Sequence, residues 1–244
     1  MEHSSYLSRA ASAPDAVVAW GPEADDVADV RLGSDVLPLV VMLHGGFWRP
    51  DYDRIHVRPM TEAIAAAGWT VAAPEYRRLP GRPDPTVDDV RAALRILPVE
   101  LRGRFDGRVI VMGHSAGGHL ALWAASAAPA PGLIATIALA PVADLLGADR
   151  ERLGDGAVGA FLGGPASARP DLDPARTVSS AMPVVLLHGV EDETVPLSQS
   201  HAYVVAHPHA VLHEVPGAGH LAVIDPLSPA WPSMLAALKE LSAT

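Results

Sequence analysis

The sequence predicts an α/β fold, a mostly parallel central sheet flanked by helices on both faces. Three observations carry that expectation. Short continuous apolar runs recur at 39–43, 69–73, 108–112, 133–139 and 184–187, and runs of that length without polar alternation suit parallel strands covered on both sides. Helical patterns lie between them, which is the β-α alternation of a layered α/β domain. The 244 residues, 49% hydrophobic and 19% charged, furnish one sizeable core but fall short of two full-size domains, so residues 1–244 are expected to form a single domain.

Each element has its own local reason. Valines in 16–18 and 27–32 predict an antiparallel pair that opens the sheet. The strand at 39–43 is followed by a helix over 56–67 and a strand at 69–73. A second helix is expected over 86–97, because Pro85-Thr86-Val87-Asp88-Asp89 places acids in a first turn and Val87, Val90, Leu94 and Leu97 fall at helical spacing. The strand at 108–112 leads into a helix over 116–127, then a strand at 133–139. Residues 145–182 are rich in Pro, Gly and Asp and include Phe161-Leu162-Gly163-Gly164-Pro165, which predicts a short helical lid. A strand at 184–187, a helix over 197–206, a strand at 210–215 and a last helix over 229–241 complete the chain.

Composition excludes several function classes. Eighteen Lys+Arg against 28 Asp+Glu give a net charge of −10, which argues against a nucleic-acid surface or a polybasic membrane footprint. The absence of cysteine excludes disulfide scaffolds, thiolate metal sites and cysteine nucleophiles. Met1-Glu2-His3-Ser4-Ser5 has no basic leader region. The long uncharged stretch 120–143 is interrupted by Ser126, Pro129, Pro131 and Gly132, so it reads as helix, turn and strand, not as a membrane span. A cytoplasmic protein is expected.

The chemistry is concentrated in four segments. Gly113-His114-Ser115-Ala116-Gly117 follows a buried strand and precedes a helix, forming a G-x-S-x-G elbow in which Cβ atoms two residues either side of the serine would collide. A chain of this length would show that pattern by chance about 0.08 times, taking Gly and Ser near 7% each. Directly after the strand at 39–43 comes His44-Gly45-Gly46-Phe47-Trp48. Adjacent glycines let backbone N–H groups approach a developing oxyanion, so Gly45, Gly46 and, from the elbow, Ala116 are the candidate donors. Phe47 and Trp48 either line an acyl pocket or, for Trp48, plug the space beneath the loop.

A nucleophilic serine needs a base and an orienting acid. Of eleven histidines, His220 sits in the glycine loop 216–220 after the last strand and is the candidate base. His114 lies inside the elbow, His119 reads as packing, and His44 and His188 precede glycines at strand ends, where structural hydrogen bonds are expected. His201, His207, His209 and His213 lack a carboxylate at ligand spacing. The acid belongs on the loop His188-Gly189-Val190-Glu191-Asp192-Glu193-Thr194-Val195-Pro196. Asp192 is chosen, with Glu191 and Glu193 as alternatives.

With these motifs the chain resembles the α/β-hydrolase superfamily, and within it the kynurenine formamidase-like and hormone-sensitive-lipase-like esterases. The likeness runs from about Trp20 onward and rests on His44-Gly45-Gly46-Phe47-Trp48, Gly113 to Leu120 and His188 to Pro196. The order Ser115, Asp192, His220 is the order of that superfamily. The resemblance implies a serine hydrolase of a small ester or aryl formamide, working through an acyl-enzyme without metal or organic cofactor. An acyltransferase or thioesterase would use the same triad with another acceptor or a carrier-bound substrate, and a non-catalytic binding protein would keep only the scaffold. About 38 residues precede the strand at 39–43, too few for the large N-terminal cap of the lipase-like esterases.

Overall fold

The computed structural model describes residues 6, 7 and 9–243; residues 1–5, on which the expectation of no leader rests, lie outside them. The strands are β1 (Ala16–Ala19), β2 (Val27–Arg31), β3 (Leu39–Leu43), β4 (Val71–Pro74), β5 (Val109–His114), β6 (Leu133–Leu139), β7 (Val184–Gly189) and β8 (Val211–Val215). They make one sheet in the order β1-β2-β4-β3-β5-β6-β7-β8. β1 and β2 pair antiparallel, as does β2 with β4, whereas β4, β3, β5, β6, β7 and β8 are parallel. The chain therefore winds outward from β3 in both directions. That reversal leaves a crevice at the carboxyl ends of β3 and β5, where open α/β sheets bind their ligands.

Seven α-helices connect or follow these strands among the described residues: α1 (Arg58–Ala66), α2 (Pro83–Glu100), α3 (Ala116–Ala127), α4 (Leu145–Arg150), α5 (Leu153–Leu162), α6 (Ser198–Ala206) and α7 (Trp231–Ser242). Successive strand residues alternate between two cores, because side chains on a strand point to opposite faces. Leu39, Val41 and Leu43 pack with Val90, Leu94 and Leu97 of α2 and Leu120 of α3. Val40 and Met42 pack with Met60 and Ile64 of α1 and Met234 and Leu238 of α7. Both layers exclude water from β3 completely, which explains its unbroken apolar sequence.

Several element boundaries differ from expectation, most by a residue or two, and three of them bear on the site. The helix expected over 86–97 begins at Pro83 and runs to Glu100, since proline lacks an N–H that the first turn would leave unused anyway. Its first-turn acid is Asp84, while Asp89 instead receives Arg77 Nε at 2.8 Å and Arg77 Nη2 at 2.6 Å. The helix expected over 56–67 is split: Asp53 caps a 3-10 turn at Arg54–Val57 by accepting the Ile55 N–H at 2.8 Å, and α1 follows with Pro59 in its first turn. The strand expected at 69–73 pairs from Val71 to Pro74.

Residues 120–143 divide into the end of α3, a turn and β6. No helix among the described residues is long and apolar enough to cross a membrane. Between β6 and β7, residues 145–182 form α4, α5 and three 3-10 turns. α5 opens on left-handed backbone at Gly154, Asp155 and Gly156, and this turn lies against the loop that follows β3.

Candidate active site

Ser115 stands between β5 and α3 with φ 56° and ψ −119°, a left-handed conformation that a non-glycine residue adopts only when its surroundings enforce it. Here the enforcement is steric. A Cβ on Gly113 would sit 2.1 Å from the Gly117 carbonyl oxygen, and one on Gly117 would sit 2.1 Å from the Leu43 oxygen and 2.3 Å from that of His44. Two glycines thus let the serine turn, and they bring the end of β3 against the start of α3. The helix presents its unpaired N–H groups and positive dipole end beside the serine.

The loop after β3 is held by a buried polar cluster. Tyr76 OH donates to the His44 carbonyl at 2.6 Å, and His44 Nδ1–H donates to the Gly45 carbonyl at 2.9 Å. In a trans peptide the N–H points opposite its carbonyl. The N–H groups of Gly45 and Gly46 are therefore both turned away from the His44–Tyr76 cluster. Gly46, Phe47 and Trp48 all have positive φ, at 112°, 50° and 55°. Phe47 lines the cavity at Ser115, whereas Trp48 is buried, stacked on Phe161 at 4.6 Å between ring centroids and edge-on to His119. Trp48 is thus the plug and Phe47 the wall.

Glu75, at the end of β4, anchors the cluster and had no signal in the sequence before the sheet order was known. It accepts His44 Nε2–H at 2.9 Å, the Arg54 N–H at 3.1 Å and the Arg78 guanidinium. Burial alone would raise its pKa, but these donors outweigh it and hold the carboxyl at about 2. A folded pKa below the unfolded value means stabilisation that is complete above about pH 4.5 and lost as pH falls towards 2. Glu75→Gln is expected to cost about 2 kcal/mol near neutrality. Thermal melts should show the gap from wild type closing as the pH is lowered through that window.

The acid and base meet across two loops. Asp192 Oδ2 accepts His220 Nδ1–H at 2.7 Å and lies 3.3 Å from His188 Nε2, while Oδ1 accepts the Thr194 and Val195 N–H groups at 2.8 Å each. Although burial opposes ionisation, the hydrogen bonds from His188 and His220 keep this carboxyl well below the usual range. Glu191 and Glu193 point to solvent. His114, buried and held neutral by burial and by the nearby His220 ring, donates Nε2–H to the His220 carbonyl at 3.0 Å. It fixes the loop that carries the base. His119 donates Nε2–H to the Leu172 carbonyl at 2.8 Å, and His188 bridges Ser200 and the Val195 carbonyl.

Ser115 and His220 open into one cavity of about 80 Å³, with His114, Gly46 and Phe47 around them. Gly45 and Ala116 sit behind this wall; a Cβ on Gly45 would come within 3.1 Å of Ser115 Cβ. Tyr52, His56, Thr194, Leu7 and Leu221 also line it, and none of them was a candidate site residue in the sequence. His201, His207, His209 and His213 do not converge: His201 pairs with Glu214, and His207 lies between Ser179 and the Pro174 carbonyl. No cluster of three or more ligating side chains occurs among the described residues.

The model of the family described as BD-FAE matches residues 26–206. Among solved structures, esterase B from Lactobacillus rhamnosis is 21% identical, with 99% of this chain and 91% of that one covered and a TM-score of 0.79. The Est2 esterase of Thermogutta terrifontis is 21% identical over 92% of this chain and 90% of that one, with a TM-score of 0.70. An acetyl ester-xyloside bifunctional hydrolase from Caldicellulosiruptor lactoaceticus is 20% identical over 94% and 96%, with a TM-score of 0.75. No curated relative matches the sequence.

Proposed function

The chain belongs to the BD-FAE family and has the α/β-hydrolase fold, and from that premise we propose that it is a serine hydrolase of small, uncharged carboxylic esters. The observation that carries the reading is the convergence of three loops. Ser115 on its glycine elbow shares a cavity with His220, whose Nδ1–H is bonded to the ionised Asp192. With Nδ1 engaged, Nε2 is the ring nitrogen that can take the serine proton.

In this reading Ser115 Oγ attacks the ester carbonyl as His220 Nε2 accepts its proton, and Asp192 holds the imidazolium that forms. The tetrahedral oxyanion is stabilised by backbone N–H groups of Gly46 and Ala116, with Gly45 as a further donor. His220 returns the proton to the departing alcohol. Water then attacks the acyl-enzyme by the same route in reverse, with His220 as base, and releases the acid and the free serine. The whole chain, 1–244, serves as one catalytic domain, and 145–182 acts as its lid through the contacts of Gly154 with Phe47 and of Phe161 with Trp48.

Among the described residues, no Asp, Glu, Lys or Arg side chain lines the cavity. That favours a neutral ester over a zwitterionic aryl formamide such as N-formylkynurenine. We expect p-nitrophenyl acetate to be turned over with a higher kcat/KM than N-formylkynurenine. The reverse order would make the enzyme a formamidase. An acyl burst from the ester without steady turnover would replace water by another acceptor and make it an acyltransferase.

A further inference from the structure

We infer that His56 is a specificity-determining residue of this site: its Nε2 accepts a hydrogen bond from a hydroxyl on the substrate beside the scissile ester, so the enzyme selects hydroxylated esters over their alkyl counterparts. The assignment rests on the serine-esterase reading above. His56 lies within the 3-10 turn Arg54–Val57 and lines the same cavity as Ser115 and His220. Its Nδ1 lies 2.6 Å from the Asp53 carbonyl oxygen. A carbonyl can only accept, so Nδ1 carries the proton, and in the neutral ring Nε2 is a lone-pair acceptor.

The ring is neutral at physiological pH. Burial, and secondarily the neighbouring His44, lower its pKa to about 4. The same shift makes it a poor base, which leaves proton transfer to His220. Its orientation is fixed: His44 packs edge-on at 5.6 Å and Tyr52 edge-on at 6.2 Å between ring centroids. Nε2 has no hydrogen-bond partner among the described residues.

Other polar groups of the cavity cannot make the same selection. The hydroxyls of Tyr52 and Thr194 both donate and accept, so they tolerate either kind of partner. His114 Nδ1 is likewise an unpartnered acceptor, but it is buried against Gly45, where a Cβ would come within 3.1 Å of it. With His220 Nε2 committed to the Ser115 proton, His56 Nε2 is, among the side chains of the described residues lining the cavity, the acceptor-only group left for a substrate hydroxyl. A methyl group placed there leaves the nitrogen desolvated and unpaired, and that asymmetry is what discriminates hydroxyl from alkyl.

Two isosteric pairs test the assignment on either side of the ester: 2-hydroxyethyl acetate against propyl acetate, and ethyl glycolate against ethyl propanoate. Each kcat/KM ratio is normalised to the hydroxide-catalysed rates of the same esters. Wild type should prefer the hydroxylated member of at least one pair by about tenfold. His56→Leu should bring that ratio close to one, and His56→Gln, which restores an acceptor, should recover most of it. Equal ratios in wild type, a ratio unchanged by His56→Leu, or identical behaviour of the two variants would overturn the assignment. The wild-type ratio decides without either variant if both fail to fold. Absence of Ser115-dependent turnover of all four esters would remove the esterase reading itself, and this one with it, a result distinct from turnover without preference.

Discussion

Ser115→Ala is expected to lower kcat for a small ester by about 10⁴–10⁶-fold, leaving only the acceleration that the oxyanion donors and substrate binding supply without a nucleophile. The fold should be untouched, because Ser115 is small, is almost fully buried and makes no side-chain cap bond to α3. Alanine also relieves nothing, since the left-handed backbone is imposed by Gly113 and Gly117 packing, not by the hydroxyl. The measurement is a pair of progress curves on p-nitrophenyl acetate, with a fluorophosphonate probe to show which protein is labelled. Loss of both turnover and label, at an unchanged melting temperature, is the expected result. A mutant as active as wild type would place the nucleophile elsewhere and end the proposed mechanism.

The second large effect falls on stability. Gly117→Ala puts a methyl carbon 2.1 Å from the Leu43 oxygen and 2.3 Å from that of His44. Those atoms belong to backbone at the end of β3, hydrogen-bonded on one side to β5 and gripped by Tyr76 on the other, so no side chain can swing aside. Overpacking against a fixed backbone belongs to the most damaging class of substitution, beyond about 4 kcal/mol. For a chain of this size that corresponds to a fall in Tm of about 8–16 °C, or to failure to accumulate folded protein. Gly164→Ala, at a position with nothing within 4 Å, is the control and should shift Tm by no more than a degree or two. Should both variants melt together, the elbow would be more yielding than the sheet and helix contacts imply.

Much of this architecture is legible in the chain because each signal is local. Strands such as Leu39–Leu43 and Leu133–Leu139 and the helix Ala116–Ala127 coincide with their expected limits, since an uninterrupted apolar run or a glycine-bounded helix carries its ends with it. α2 was less legible at its start, where Pro83 and Pro85 look like breakers but suit a first turn. The loop acids show a different limit. Asp192, Glu191 and Glu193 are equivalent by composition, and only the fold distinguishes them, by turning the flanking pair to solvent and Asp192 towards His220. Glu75, Tyr52 and His56 were invisible for a further reason. Their importance depends on β4 lying beside β3 and on residues 49–57 folding back over the serine, which are facts of topology that no window along the sequence contains.

The loop at Gly46, Phe47 and Trp48 has one further bearing on how such an enzyme would fail. Two bulky residues there occupy left-handed backbone, a state that costs of order 1–3 kcal/mol each and is kept by Phe161 stacked on Trp48 and by Arg49 donating to the Gly154 carbonyl. Those restraints come from a helical segment outside the sheet, and segments of that kind open before the sheet does. Once α5 loosens, the loop can relax and its N–H groups lose their aim while the eight strands remain paired. Heat would then silence the protein several degrees below the temperature that unfolds it.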